Sequence, residues 1–259
     1  MRDDLNARAP RRIAVLDPVK LVIDNYPADA SEECFAPNHP HHPELGRRSL
    51  PFTRELWIER DDYDEHPPKG YFRLAPGSEA RLRYGYIVRC VGAEKDAAGN
   101  VTVVHCIYDP QTKSGTPGAD ARKVKGNLHW LSTRNAVAAE IRLYDRLFAV
   151  PFPGSRNPQG ARGSDEADST APTHAHLVAG EDDDEEAGPP IERNYLDDLN
   201  PASKRVITAL VEQALAEAVA EERFQFERHG YFVADIADHA PGKPVFNRTV
   251  TLRDSWGKT

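Results

Sequence analysis

The chain has 259 residues, 39% of them hydrophobic and 29% charged, with a formal net charge of −8. That length supports one large or two ordinary domains with a real core. No run of apolar residues approaches the 18 needed to span a membrane, and the start, MRDDLNARAPRRIAV, lacks the apolar stretch of a signal peptide, so a cytoplasmic protein without a membrane partner is expected.

Three scattered cysteines, Cys34, Cys90 and Cys106, are too few for a disulfide framework and fit a reducing compartment. In that setting the sequons at Asn100 and Asn247 are chance occurrences. The charge is unevenly placed: Gly163 to Asp198 holds twelve acidic residues against one basic, so the rest of the chain is mildly basic at +3. A nucleic-acid partner is therefore compatible with the negative total.

Taken in chain order, the first features are an arginine pair, Arg11–Arg12, and the run CFAPNHPHHPE (Cys34 to Glu44). The run gathers one cysteine and three histidines, but no CxxC accompanies it and Pro37, Pro40 and Pro43 make it an extended loop, so no metal site is expected. Strands are expected at Glu55 to Glu59, Glu79 to Val91 and Val101 to Asp109, the last two forming a hairpin around the turn DAAGN. Lys123 to Leu131 and Glu140 to Phe148 continue the β pattern. A segment from about 157 to 191, with six consecutive carboxylates from Glu181 to Glu186, is expected to be a disordered acidic insertion.

After it, Ala202 to Glu222 begins β-branched and turns rich in Ala, Leu and Glu, which predicts a strand followed by a short helical piece. Arg223 to Asp235 and Pro244 to Leu252 complete the strands. In ERFQFERHGYF the alternation assigns Phe224 and Phe226 to a core, with Gln225 and Glu227 on the opposite, polar face. Many short strands punctuated by Gly and Pro predict an all-β fold of barrels or sandwiches.

No GxGxxG, GxxxxGK, GxSxG or HExxH occurs, and the short Ser203-Lys204-Arg205 has no His-x-Gly-His companion, so no residue is expected to be catalytic. Arginines beside aromatics, namely Arg11, Arg12, Tyr71, Arg73, Arg81, Arg83 and Tyr84, instead suit single-stranded RNA, whose splayed bases stack on aromatic or guanidinium planes. Solvated arginines on strand faces would give the same pattern.

Six strings sharpen this reading: RDDLNARAPRRIAVLDPVKLVI (Arg2 to Ile23), PNHP with PELG (Pro37 to Gly46), RKVKGNLHW (Arg122 to Trp130), EIRLYDRLF (Glu140 to Phe148), FQFERHGYF (Phe224 to Phe232) and KPVFNRTVTLRDSW (Lys243 to Trp256). Together, in this order, they closely resemble the C-terminal part of bacterial glutaminyl-tRNA synthetases. The resemblance implies two stacked, antiparallel, six-stranded β-barrels that bind an anticodon: residues 1–9 end a connector, 10–126 form the first barrel and 127–259 the second.

It further implies recognition of a glutamine tRNA, with anticodon CUG or UUG, by a monomer that does not bind DNA. The family's Rossmann domain, where ATP, Mg and glutamine would act, has no counterpart in this sequence, so no cofactor and no aminoacylation are expected of this part alone. By position, Arg11 matches the arginine of the central uridine, Gln225 and Glu227 the pair enclosing that base, Arg73 the arginine of the third base, Arg81 that of the first, and Asn6 a loop contact of lesser weight. His41, Gly70 and Phe72 depart from the asparagine, glutamine and lysine of the best-known members, with His41 kept as a loop contact. The same barrels in an archaeal or eukaryotic glutamyl-tRNA synthetase, or a free-standing barrel module, are the alternatives.

Overall fold

A computed structural model describes residues 2–119, 121–154 and 194–252. The chain opens with helix α1 (Arg2–Arg8) and continues through β1 (Arg11–Arg12), β2 (Ala14–Val15), β3 (Pro18–Ile23), β4 (Ser31–Pro37), β5 (Arg47–Thr53), β6 (Glu55–Glu59), β7 (Glu79–Leu82), β8 (Ile87–Lys95) and β9 (Val101–Tyr108). Then come β10 (Gly126–Leu128), β11 (Leu131–Ser132), β12 (Val137–Tyr144), β13 (Lys204–Val211), β14 (Arg223–Phe226), β15 (Gly230–Ala234) and β16 (Val245–Val250). The expected acidic insertion lies outside the described residues.

The strands build two barrel-like sheets of seven strands each, in the orders β10-β7-β8-β9-β3-β6-β11 and β1-β14-β15-β16-β12-β13-β2, with β4-β5 as a separate hairpin. They are mixed: β3 with β9, β7 with β10, β12 with β16 and β1 with β14 run parallel. Each sheet thus has seven strands rather than the expected six: five longer strands and two short ones, which come from segments that pass from one barrel to the other. Arg11 to Val15 pair within the second sheet, while Gly126 to Ser132 return to the first.

Local chemistry explains the elements. The β8–β9 turn closes because Asp96 Oδ1 accepts the amides of Ala98 and Asn100 and Gly99 supplies φ +85°. The expected strand through residue 91 breaks at Arg83 to Tyr86, where Tyr84 takes φ +65° and the Leu82 carbonyl accepts the Gly85 amide at 2.8 Å. At the β14–β15 turn Arg228 takes φ +72°, and a Cβ on Gly230 would lie 2.5 Å from the Val250 carbonyl oxygen, so only glycine fits. Residues 202–222 are β13 followed by a 3-10 turn over Gln213–Glu217, in the expected order.

Each barrel has its own core. The first packs Leu21, Ile23, Leu56, Ile58 and Val104 around Phe52, whose ring meets Tyr26, Tyr86 and Trp130 at 5.0 to 5.3 Å. The second is centred on Phe224, Phe226, Phe232 and Phe246, with Phe226 stacked on Phe232 at 4.3 Å. Each fully buried ring contributes about 1.5–3 kcal/mol of transfer free energy. Phe224 and Phe226 are thus core, as their spacing predicted.

Asp145 to Lys204 is a second compact unit. In its described part, Phe148 bridges Leu199, and Asn194 accepts the Leu196 amide at 3.0 Å.

Candidate nucleic-acid interface

The seven residues singled out in the sequence fall into three groups. The first surrounds Arg11, which is only 7% exposed. Parallel pairing of β1 with β14 puts Arg11 level with Gln225, and paired residues of parallel strands project to the same face. Arg11 Nη1 donates to the Ala9 carbonyl at 2.7 Å, while Nη2 donates to the Asn6 carbonyl at 3.0 Å and to Asn6 Oδ1 at 2.8 Å. Asn6 Oδ1 also accepts from the Tyr231 hydroxyl at 3.1 Å. Asn6 is thereby an anchor for Arg11, held by a helix that follows the acidic-start, basic-end pattern of Asp3, Asp4 and Arg8.

Burial lowers the Arg11 pKa, with Tyr231, Glu227 and Tyr84 acting in the opposite sense. Gln225 supplies the complementary chemistry. Its Oε1 is buried and has no hydrogen-bond partner among the described residues. Such an orphan acceptor costs about 1–3 kcal/mol unless a ligand or water donates to it.

Glu227 lies one residue beyond β14, in the turn, and is buried rather than on the open polar face that alternation predicts. The strand ends at Phe226, so the period-two rule no longer governs its direction. Its carboxylate is 2.6 Å from Arg83 Nε and 3.5 Å from Arg48 Nη2, and it accepts from the Tyr84 hydroxyl at 3.1 Å. The left-handed Tyr84 creates this contact by turning the chain after β7. For Arg83, burial opposes the charge but Glu227 and Tyr84 outweigh it and raise the pKa.

His41 is exposed on the β4–β5 loop, and its amide donates to His39 Nδ1 at 3.1 Å. The other nitrogen of His39 donates to the Asn6 carbonyl at 3.0 Å, which docks this loop on α1 beside Arg11. Arg12 bonds Asn38 Oδ1 at 2.9 Å and lies over the Phe224 ring.

The second group contains Arg73. Its Nη1 donates to the Asp61 carbonyl at 2.9 Å and is 3.2 Å from Asp62 Oδ1. Buried Asp62 also takes two bonds of 2.7 Å from Arg228. Burial lowers the Arg228 pKa, but those bonds dominate and raise it. Arg73 remains half-exposed, and next to it Phe72 is 51% exposed with Lys125 Nζ 4.6 Å from its ring centre. A cation thus stands over Phe72, the position where the resembled family has a lysine. Gly126 permits the approach of this loop, since a Cβ there would lie 2.2 Å from the Phe72 carbonyl oxygen. Gly70 takes φ +91° in open space.

Arg81 stands apart in the third group. Its Nη1 donates to the Thr112 carbonyl at 2.7 Å and to Ser114 Oγ at 3.2 Å, and Nη2 donates to the Ala119 carbonyl at 3.1 Å. It ties together the loop after β9 as well as presenting a cationic edge.

Sequence reasoning did not single out Arg48, Asp62, Glu212 or Arg228, which hold these groups in place. Nor did it single out Glu59, His129 and His229, whose ligand atoms lie within 4.8 Å of one another. Burial lowers the His129 pKa. Burial would raise that of Glu59, but the two histidines against its carboxylate prevail and hold it well below the usual carboxylate range. The strand expected over Arg223 to Asp235 breaks at this point into β14 and β15, and nothing in the string ERHG reveals that Arg228 and His229 reach the other barrel.

Comparison with known proteins follows this geometry. Residues 9–109 match one model, and residues 127–235 a second model, of the anticodon-binding domain of class I tRNA synthetases (E and Q). The chain is 57% identical over 258 residues to the glutamine–tRNA ligases of Ralstonia pickettii and Ralstonia nicotianae, covering all of this chain and 39% and 38% of theirs. It is 52% identical over 258 residues to that of Nitrosomonas europaea, covering all of this chain and 40% of the relative. The chain thus spans about two fifths of the length of these relatives. It belongs to the anticodon-binding domain family of the class I tRNA synthetases (E and Q), and within it resembles glutamine–tRNA ligases from end to end.

Proposed function

We propose that this chain reads the anticodon of a glutamine tRNA as part of a glutamine–tRNA ligase, whose remaining part joins glutamine to the tRNA with ATP and magnesium. The observation that carries the reading is the pairing of Arg11 with Gln225, whose buried Oε1 awaits a donor. A uracil edge presents one N–H between two carbonyl oxygens, so Gln225 can accept from N3 while Arg11 donates to a carbonyl. Among the described residues, Arg11 makes three hydrogen bonds and has donor capacity left in its five-donor fork.

In this reading Glu227 acts indirectly, by fixing Arg83 and Tyr84 beside the central base. Arg73 engages guanine O6 and N7 at the third position, with Phe72 and Lys125 offering a stacking face and a phosphate contact. Arg81 serves the first base and His41 lines the loop. The protein acts as a cytoplasmic monomer, without DNA as a partner.

Binding of the chain to anticodon stem-loops carrying CUG or UUG tests this, with the central base varied. A preference for uridine at the centre supports the reading. Equal affinity for all four central bases, or a preference for glutamate-tRNA anticodons, overturns it.

A further inference from the structure

Glu59, His129 and His229 meet where the two barrels join. Glu59 ends β6, His129 sits between β10 and β11 of the same sheet, and His229 lies in the β14–β15 turn of the other. Glu59 Oε1 is 3.4 Å from His129 Nε2 and 2.8 Å from His229 Nε2. As a hydrogen-bond network this is poor. The first contact is long, and the buried His229 Nε2 lacks the alignment of a hydrogen bond despite its short distance. With one long hydrogen bond from His129 and none from His229, the two nitrogens crowd a single carboxylate oxygen more closely than hydrogen bonding requires, and all three ligand atoms lie within 4.8 Å of one another.

We propose that Glu59 Oε1, His129 Nε2 and His229 Nε2 bind a divalent cation of the zinc class and so clamp the two barrels together. Two imidazoles and one carboxylate suit a borderline transition ion, whereas magnesium and calcium prefer all-oxygen shells. Ligands about 2.0–2.2 Å from a tetrahedral centre lie about 3.3–3.6 Å apart; the two contacts to Glu59, 2.8 and 3.4 Å, and the 4.8 Å bound on all three atoms put side-chain adjustments of about 1 Å within reach of that geometry. Water completes the fourth position.

The carboxylate is already oriented from behind. Glu59 Oε1 accepts the Leu16 amide at 2.7 Å and Oε2 the Asp17 amide at 3.0 Å, at the crossover between the sheets. Such outer bonds are what hold metal ligands in register. Arg228, which acts electrostatically on His129 and Glu59, has its charge matched by its two bonds to Asp62. The histidine-rich loop is the weaker candidate because both ring nitrogens of His39 are occupied and His42 Nδ1 pairs with Glu44 at 2.7 Å.

The test uses the full chain, stripped with chelator and reloaded with zinc alone, followed by gel filtration and elemental analysis. One zinc per chain and a thermal midpoint raised by several degrees are expected, with both lost in His229→Gln, whose folding is checked by circular dichroism. A His39→Gln/His41→Gln/His42→Gln variant is expected to keep both. With cobalt, tetrahedral visible bands without a thiolate charge-transfer band are expected. No retained zinc, zinc retained by His229→Gln, zinc lost from the loop variant, or a thiolate band would each overturn the proposal.

Discussion

Arg11 and Gln225, from opposite ends of the chain, occupy matched positions on two parallel strands, one carrying spare donors and the other a buried acceptor without a partner. Arg11→Ala or Gln225→Ala is expected to weaken binding to a glutamine-tRNA anticodon stem-loop by about fivefold or more, from the loss of about 1–3 kcal/mol of base discrimination. Central-base preference should fall in parallel. Unchanged affinity and preference in both variants, measured by titration calorimetry, would remove the assignment.

Arg73 and Arg81 should separate in experiment because their surroundings differ. Arg73 is half-exposed at a loop edge, so Arg73→Ala is expected to reduce affinity for a third-base guanine with little change in melting temperature. Arg81→Ala removes the ties to Thr112, Ser114 and Ala119 and is expected to lower the melting temperature as well. Thermal melts alongside binding isotherms check the distinction; equal melting temperatures for the two variants contradict it.

Arg48 Nε lies 2.6 Å from Glu212 Oε2, with all but a few percent of both side chains hidden, and its Nη2 is 3.5 Å from Glu227. Glu212 Oε1 also accepts the Ile13 amide, which secures β2 against β13. Replacing Arg48 by methionine leaves the buried Glu212 carboxylate without its cation, while Glu227 keeps Arg83. A loss of about 3–5 kcal/mol is expected in urea unfolding. Adding Glu212→Gln should restore part of it, and a double variant as unstable as the single one would show that the charge is not the cause.

His105 bonds Asp24 through Nδ1 at 2.9 Å and Glu94 through Nε2 at 3.2 Å. The bond to Asp24 raises its pKa, with desolvation opposing and Glu94 assisting. The folded state therefore favours the protonated ring. That stabilisation is complete below the unfolded value of about 6.5 and disappears as pH rises through the folded value. His105→Gln is expected to cost about 0.5 kcal/mol at pH 5.5 and little at pH 9. A cost independent of pH would show that the ring is not charged.

Most strands from Glu55 onward were legible because they depend on local alternation and turn chemistry: DAAGN closes β8 on β9, and the phenylalanines at 224 and 226 enter the core as their spacing requires, whereas β1 to β5 were not read and Cys34 to Pro37, expected in an extended loop, lies in β4. The break at Arg83 to Tyr86 was not legible. It needs a left-handed tyrosine, which nothing in the neighbouring residues demands but which the hydroxyl contact to Glu227 and the packing of the barrel support.

By itself the sequence determined an all-β chain and the core positions of Phe224 and Phe226, and its motifs named the arginines and amides proposed to read bases. Only the tertiary structure decided what each polar group faces. It placed Glu227 in a buried ion cluster, drew Arg11 level with Gln225, and brought Glu59, His129 and His229 together from three separate segments. The physical reason is range: alternation and turns act over a few residues, whereas a buried charge is set by whichever distant strand packs against it, and here the chain crosses between barrels twice.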